Sequence, residues 1–182
     1  MKKGLTVILI LSCAALLFSA CGGGHVLQKK ASSEPTTEDG SAQIFESSFG
    51  YSMEYDPSVF YVLTDDTGDS FGLWNEDADA DPSVSINVER VRGYSVAEYS
   101  DIVTSGVESG VWSVTEAEFG AEREMATTVL YEESTAAAAV DHAVTLVKDG
   151  QDLLVVETVT YEGLEDTITE TIRSMLMTFR FF

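Results

Sequence analysis

The spacing of apolar positions changes period several times along the chain, and each change predicts an element. Tyr51, Met53 and Tyr55 alternate with polar neighbours, as a half-buried β-strand requires, and Asp56-Pro57 ends the run. Residues 59–63 and 70–74 are further strand-like runs, parted by the turn-rich residues 64–69. Residues 83–92 alternate again, which puts Val84, Ile86, Val88 and Val91 on or near one face, with an irregularity near Arg90. From Ser95 the period lengthens. Val96, Tyr99, Val103 and Val107 recur at helical spacing, and Ser95 and Glu98 are spaced as a capping box, predicting an amphipathic helix that closes near Gly110.

Two strands follow, over residues 112–119 and 123–132, around a turn that contains Gly120. Residues 140–147 and 152–161 flank Asp149-Gly150, a dipeptide favoured where both central residues of a hairpin turn need positive φ. With those two as the turn, His142 lies directly opposite Glu157, flanked on the same face by Val140 with Val159 and Val144 with Val155. After Gly163 the helical period returns: Leu164, Ile168, Ile172 and Met175 share a stripe, and Glu165 and Asp166 occupy the first turn, where the helix dipole favours acids. Phe179, Phe181 and Phe182 form a last short strand or apolar tail. The order of elements defines an α+β domain, a mainly antiparallel sheet with helices packed on it.

The N-terminal stretch follows a different pattern. Lys2 and Lys3 precede an apolar run over residues 5–18, and Phe18-Ser19-Ala20-Cys21 brings small residues up to a cysteine. This resembles a bacterial lipoprotein signal peptide with its lipobox, although Phe18 stands where leucine is commoner. The run is shorter than the roughly 20 residues of a bilayer span. The resemblance implies cleavage of residues 1–20 and a diacylglyceryl thioether, with palmitate-type chains, on Cys21. Residues 22–41 are rich in Gly, Ser, Thr, Glu and Lys and read as a flexible tether with an r.m.s. reach of roughly 25 Å. Residues 42–182 then form a single domain. The expected location is the extracytoplasmic face of a bacterial membrane, a cell membrane ahead of an outer membrane. Cys13 leaves with the leader, so the mature chain has no disulfide and its stability rests on the core.

Charge narrows the set of partners. The formal net charge is −21, and loss of Lys2 and Lys3 takes it to −23. Such a surface excludes nucleic acid, whose phosphates need Lys and Arg, and is repelled by anionic headgroups. Cations and basic partners are its complements, and the same acidity serves solubility.

Few residues offer chemistry. In Asn75-Glu76-Asp77-Ala78-Asp79-Ala80-Asp81, the acids Asp77, Asp79 and Asp81 place oxygens at every second position, with Asp65, Asp66 and Asp69 in a neighbouring loop, a pattern of hard ligands suited to calcium. An EF-hand beginning at Asp77 fails, because Pro82 and Val88 fill the positions of its glycine and glutamate. His142 with Glu157 has the makings of an oriented base, yet no nucleophile motif accompanies it, and a satisfied polar pair in a sheet is the simpler reading. Cys and His are too few for a zinc cluster, and no Gly-rich phosphate motif occurs. Trp74, Trp112, Tyr131 and Tyr161 lie on strands, where core packing is the default. Arg90 and Arg92 share a strand parity and fit intramolecular carboxylates better than a bound anion.

The stretch Gly50-Tyr51-Ser52-Met53-Glu54-Tyr55-Asp56-Pro57, the single mid-chain helix, the long hairpins and the closing helix before Phe179 resemble the Mog1/PsbP-like fold, found in many small bacterial lipoproteins. The resemblance spans the domain and implies an α/β/α sandwich. The family includes photosystem extrinsic subunits and a partner of a nuclear GTPase, and none of their functional residues has a counterpart here. The expected role is therefore a non-enzymatic, lipid-anchored binding protein without a cofactor, acting on an envelope protein or a small ligand. The alternatives are a calcium-binding or sensing lipoprotein and a surface hydrolase using His142.

Overall fold

A computed structural model describes residues 41–74, 84–135 and 138–182. Cys21, its leader and nearly all of the tether, and the acidic residues Asp77, Asp79 and Asp81 lie outside the described residues.

The strands are β1 (Gln43–Glu46), β2 (Tyr51–Tyr55), β3 (Phe60–Thr64), β4 (Gly68–Leu73) and β5 (Ser85–Arg92), then, after helix α1 (Val96–Gly106), β6 (Trp112–Phe119), β7 (Glu124–Ser134), β8 (Ala139–Asp149) and β9 (Asp152–Tyr161); helix α2 (Asp166–Met177) and β10 (Arg180–Phe181) follow. Seven strands form an antiparallel sheet in the order β3-β4-β5-β9-β8-β7-β6, and β1-β2-β10 form a smaller one. The sheet is antiparallel, as the order of elements predicts, and carries helices on both faces, as the family resemblance implies.

Alternation along the strands feeds two cores. Ile86 and Val88 on β5 and Leu154 and Val156 on β9 point to one side, where Tyr51 and Met53 of the small sheet and Ile172 and Met175 of α2 complete a buried cluster with Phe71 and Phe179. Leu153 and Val155 point to the other side, where Tyr99 and Val103 of α1 close over them with Val129, Val144 and Leu146. Full burial of each such side chain contributes about 1.5–3 kcal/mol. The start of α1 is set by the predicted capping box: Ser95 Oγ accepts from the Glu98 amide, and Glu98 accepts from the Ser95 amide at 2.9 Å.

Four sequence expectations need correction. Pairing of β5 with β9 runs without interruption from Ser85↔Val159 to Arg92↔Asp152, so there is no irregularity near Arg90. Val91 therefore faces away from Val84, Ile86 and Val88 and packs on the α1 side. The β8–β9 turn is Gly150-Gln151, closed by Asp149↔Asp152, with positive φ at Gly150 (φ 61) but not at Gln151. Glycine at the first central position alone is the type II′ pattern, whereas the predicted turn needed two such residues. Asp69 belongs to β4 rather than to an acidic loop, and its side chain is buried. Strand β1 was unexpected: it has four residues, and its one aliphatic side chain, Ile44, is 67 % exposed, so no alternation announces it.

Candidate functional site

The β6–β9 meander and β5 place one row of residues straight across the large sheet: Trp112, Tyr131, His142, Val159 and Ser85 are successive partners. The row lies on the face that carries α1, beyond the apolar residues the helix covers. His142 and Glu157 keep 14 % and 29 % of their side-chain surface.

The corrected register moves Glu157 from directly opposite His142 to directly opposite Val144. The change preserves the parity of every side chain, so the two remain on one face as diagonal neighbours, and His142 Nδ1 lies 3.1 Å from Glu157 Oε1. On its other side Nε2 lies 3.7 Å from Glu133 Oε2. The imidazole also stacks on Tyr131, with centroids 4.6 Å apart and planes 3° from parallel. Glu157 receives a further, long contact of 3.5 Å from Asn87 Nδ2, and Asn87 Oδ1 accepts from Ser70 Oγ at 2.8 Å. Burial pushes the Tyr131 phenol above its usual range, assisted by the charges of Glu157 and Glu133. Tyr99 donates to Glu89 at 2.7 Å and is raised for the same reasons, burial first.

Chemically this is a histidine whose two ring nitrogens both face carboxylates and whose ring rests on an aromatic shelf. Among the described residues the partners of the ring are Glu157, Glu133 and Tyr131. Its outer surface can accept a cationic or hydrogen-bond-donating group. Glu133 and Trp112 were not singled out with His142 from sequence, because the β7–β8 connection carries no turn signature from which that register could be deduced.

The other polar groups bind the fold together. Asp69, 2 % exposed, accepts hydrogen bonds from Ser47 and Tyr51 on one oxygen and from Thr64 on the other. Asp65 accepts from the Thr67 and Gly68 amides and closes the β3–β4 turn. Arg90 donates to the Phe49 carbonyl at 2.8 Å and pairs with Asp149 at 2.6 Å and Asp152 at 3.4 Å. Arg92 lies 3.8 Å from Asp152, so both arginines have intramolecular carboxylate partners. Gly50, with φ 85, sits where a Cβ would be 3.0 Å from Arg90 Nη2. Among the described residues no group of three His, Cys, Asp or Glu side chains is arranged to hold a metal ion. A shallow cleft of about 50 Å³ lies between Ile44, Met53, Thr178 and Arg180, far smaller than the roughly 300–1,000 Å³ of a drug-sized site.

Similar architecture occurs in solved structures. A protein from Bacteroides thetaiotaomicron superposes with a TM-score of 0.55 at 9 % identity over 76 % of this chain, which spans about half (48 %) of that protein. The Ran-binding protein Mog1p of Saccharomyces cerevisiae gives 0.52 at 12 % identity, covering 78 % of this chain and 95 % of its own. Cyanobacterial PsbP (CyanoP) from Synechocystis gives 0.51 at 13 % identity, covering 91 % and 99 %. The fold is the Mog1/PsbP-like one. At these identities the likeness extends to the fold alone. No protein-family model and no curated protein sequence matches the chain. In this Mog1/PsbP-like domain the His142 row lies on the α1 side of the large sheet, opposite the core shared by α2 and the small sheet.

Proposed function

We propose that the chain is a lipid-anchored extracytoplasmic binding protein, tethered through Cys21, that recognises a partner protein or small ligand on the α1 side of its large sheet and catalyses no reaction. The observation that supports this reading is the surroundings of His142: carboxylates face both ring nitrogens and a tyrosine stacks on the ring, which suits recognition of a cationic or hydrogen-bond-donating group. The acidic composition supports a cationic or hydrogen-bond-donating partner.

The anchor is tested with labelled palmitate, which is expected to enter the native chain and not Cys21→Ala. The variant is expected to leave the membrane fraction or to accumulate as an unprocessed precursor. Binding is tested by placing a photo-cross-linking amino acid at Tyr131 or Trp112 in the full chain in its own cells, with position 177, an exposed methionine of α2, as control. Discrete adducts at the sheet positions and none at the control are expected. Absence of adducts at both sheet positions overturns the binding reading, and a hydrolytic activity that His142→Ala abolishes while the fold persists overturns the non-enzymatic one.

A further inference from the structure

Strand β6 is the outer edge of the large sheet, with β7 as its hydrogen-bonded neighbour among the described residues. Its eight residues pair without a bulge from Trp112↔Tyr131 to Phe119↔Glu124, and every one from Trp112 to Glu118 is exposed. Protein edges are commonly protected by charged side chains, Pro, a bulge or a short strand; β6 has no Pro, Lys or bulge, and its charges, Glu116 and Glu118, deter acidic strands and not basic ones. It is also held in place. The Ala121 amide donates to the Phe179 carbonyl at 2.8 Å, and a Cβ at Gly120 would come within 2.6 Å of that same oxygen, so the turn after β6 is fitted tightly against the core.

The side chains of this edge are patterned. Trp112, Val114, Glu116 and Glu118 project to the α1 side, Trp112 and Val114 being 46 % and 49 % exposed. From Trp112 to Ser134 the chain holds one basic residue, Arg123, which lies 3.7 Å from Glu118, against Glu116, Glu118, Glu122, Glu124, Glu132 and Glu133. A second copy of the chain brings a further formal charge of −21 and is repelled from this edge. A small cation leaves its backbone groups unused.

We infer that β6 is a docking edge for an extended basic segment of a partner protein, which adds to the sheet as an eighth, antiparallel strand. The inference rests on the binding reading above and names its partner chemistry. An antiparallel addition meets Glu118, Glu116, Val114 and Trp112 in that order. The matching segment therefore has basic side chains at its first and third positions, an apolar one at the fifth and arginine at the seventh, the last stacking over Trp112 by a cation–π contact. Main-chain hydrogen bonds supply affinity, and these alternate side chains supply selectivity.

The test uses the full chain in detergent micelles and a labelled, end-blocked peptide Lys-Thr-Lys-Thr-Val-Thr-Arg, read by fluorescence anisotropy. Binding is expected to weaken at least tenfold when glutamate replaces both lysines, and at least tenfold in the double variant Glu116→Lys/Glu118→Lys, whose circular dichroism is unchanged. Only alternate peptide amides point at the edge. N-methylation of one alternate set is expected to abolish binding, while N-methylation of the other set leaves it within a few-fold. No binding, equal effects of the two methylated sets, or undiminished binding to the double variant overturns the docking edge. The two failures are distinguishable: adducts at Tyr131 or Trp112 without peptide binding remove the edge and keep the binding face, whereas absence of adducts at both positions removes the binding reading and the edge that rests on it.

Discussion

Asp69 shows how much one buried carboxylate can organise. Its oxygens collect hydroxyls from the β1–β2 turn, β2 and β3, so a single side chain on β4 joins the small sheet to the large one. Replacing it by alanine leaves three hydroxyls without their acceptor in or near the core, and an unsatisfied buried donor costs about 1–3 kcal/mol. Asp69→Ala is expected to lower unfolding free energy by about 3 kcal/mol or more in urea titrations, and Tyr51→Phe by about 1 kcal/mol. Composition misled here: Asp69 stands among other acids in sequence, and nothing local separates a core aspartate from a loop one. Arg123 raises the opposite expectation. It adopts φ 56 in an exposed turn, where a side chain is disfavoured, and its ion pair with Glu118 is solvent-exposed. Arg123→Gly is expected to raise stability by about 0.5–1 kcal/mol, seen as a higher urea midpoint with an unchanged slope.

At the scale of elements, local chemistry was legible wherever it decided the outcome. The capping box at Ser95 and Glu98 fixed the start of α1, and alternation located most strands. Ser95→Ala is expected to cost about 1 kcal/mol. Glu98 is held below the usual carboxylate range by hydrogen bonds from the Ser95 amide and then the Ser95 hydroxyl. Its folded-state value is depressed, so its contribution is present above the ordinary glutamate range and is lost as pH falls through the lower folded value. Stability titrations of the wild type and Ser95→Ala in acid are accordingly expected to draw closer without meeting, because the hydroxyl's bond to the Glu98 carboxylate is lost with protonation while the Glu98 amide's bond to Ser95 Oγ persists. What the sequence left open was set by tertiary contacts. The β8–β9 register depended on whether Gly150 was the first or second turn residue, and only the fold decides that. The His142–Glu157 contact was nevertheless foreseeable, because both possible two-residue turns keep these side chains on one face. Gly120 was legible as a turn residue but not as a contact. With φ 70 and the Phe179 carbonyl in the way of a Cβ, Gly120→Ala is expected to cost more than the roughly 1 kcal/mol of an open turn, and to loosen amide protection at Ala121.

For the molecule as a whole, buried tyrosines set an alkaline limit. Burial, followed by the neighbouring charge of Asp69, raises Tyr51 far above the ordinary phenol range; Tyr55, Tyr99 and Tyr131 are also raised, chiefly by burial. For a raised group the stabilising contribution is complete below the unfolded-state pKa of about 10 and declines as pH rises towards the folded-state value. Unfolding free energy is therefore expected to fall above pH ~10, with Tyr51 alone contributing a slope of about 1.4 kcal/mol per pH unit. Urea titrations between pH 8 and 11.5, with Tyr51→Phe for comparison, measure it, and an equal slope in the variant contradicts the assignment. The strand order has a consequence in time. Strand β5 ends at Arg92, while its neighbour β9 begins only at Asp152. A ribosome adding about 5–20 residues per second needs on the order of 3–12 s to make that interval. Until then the apolar residues Phe60, Phe71, Ile86 and Val88 of β3, β4 and β5 have been made without the strand β9 and the helix α2 that cover them in the folded domain. The growing chain thus passes through a stage in which the surface most prone to aggregation has been synthesised and its cover has not, and that interval is where a chaperone would be of most use to it.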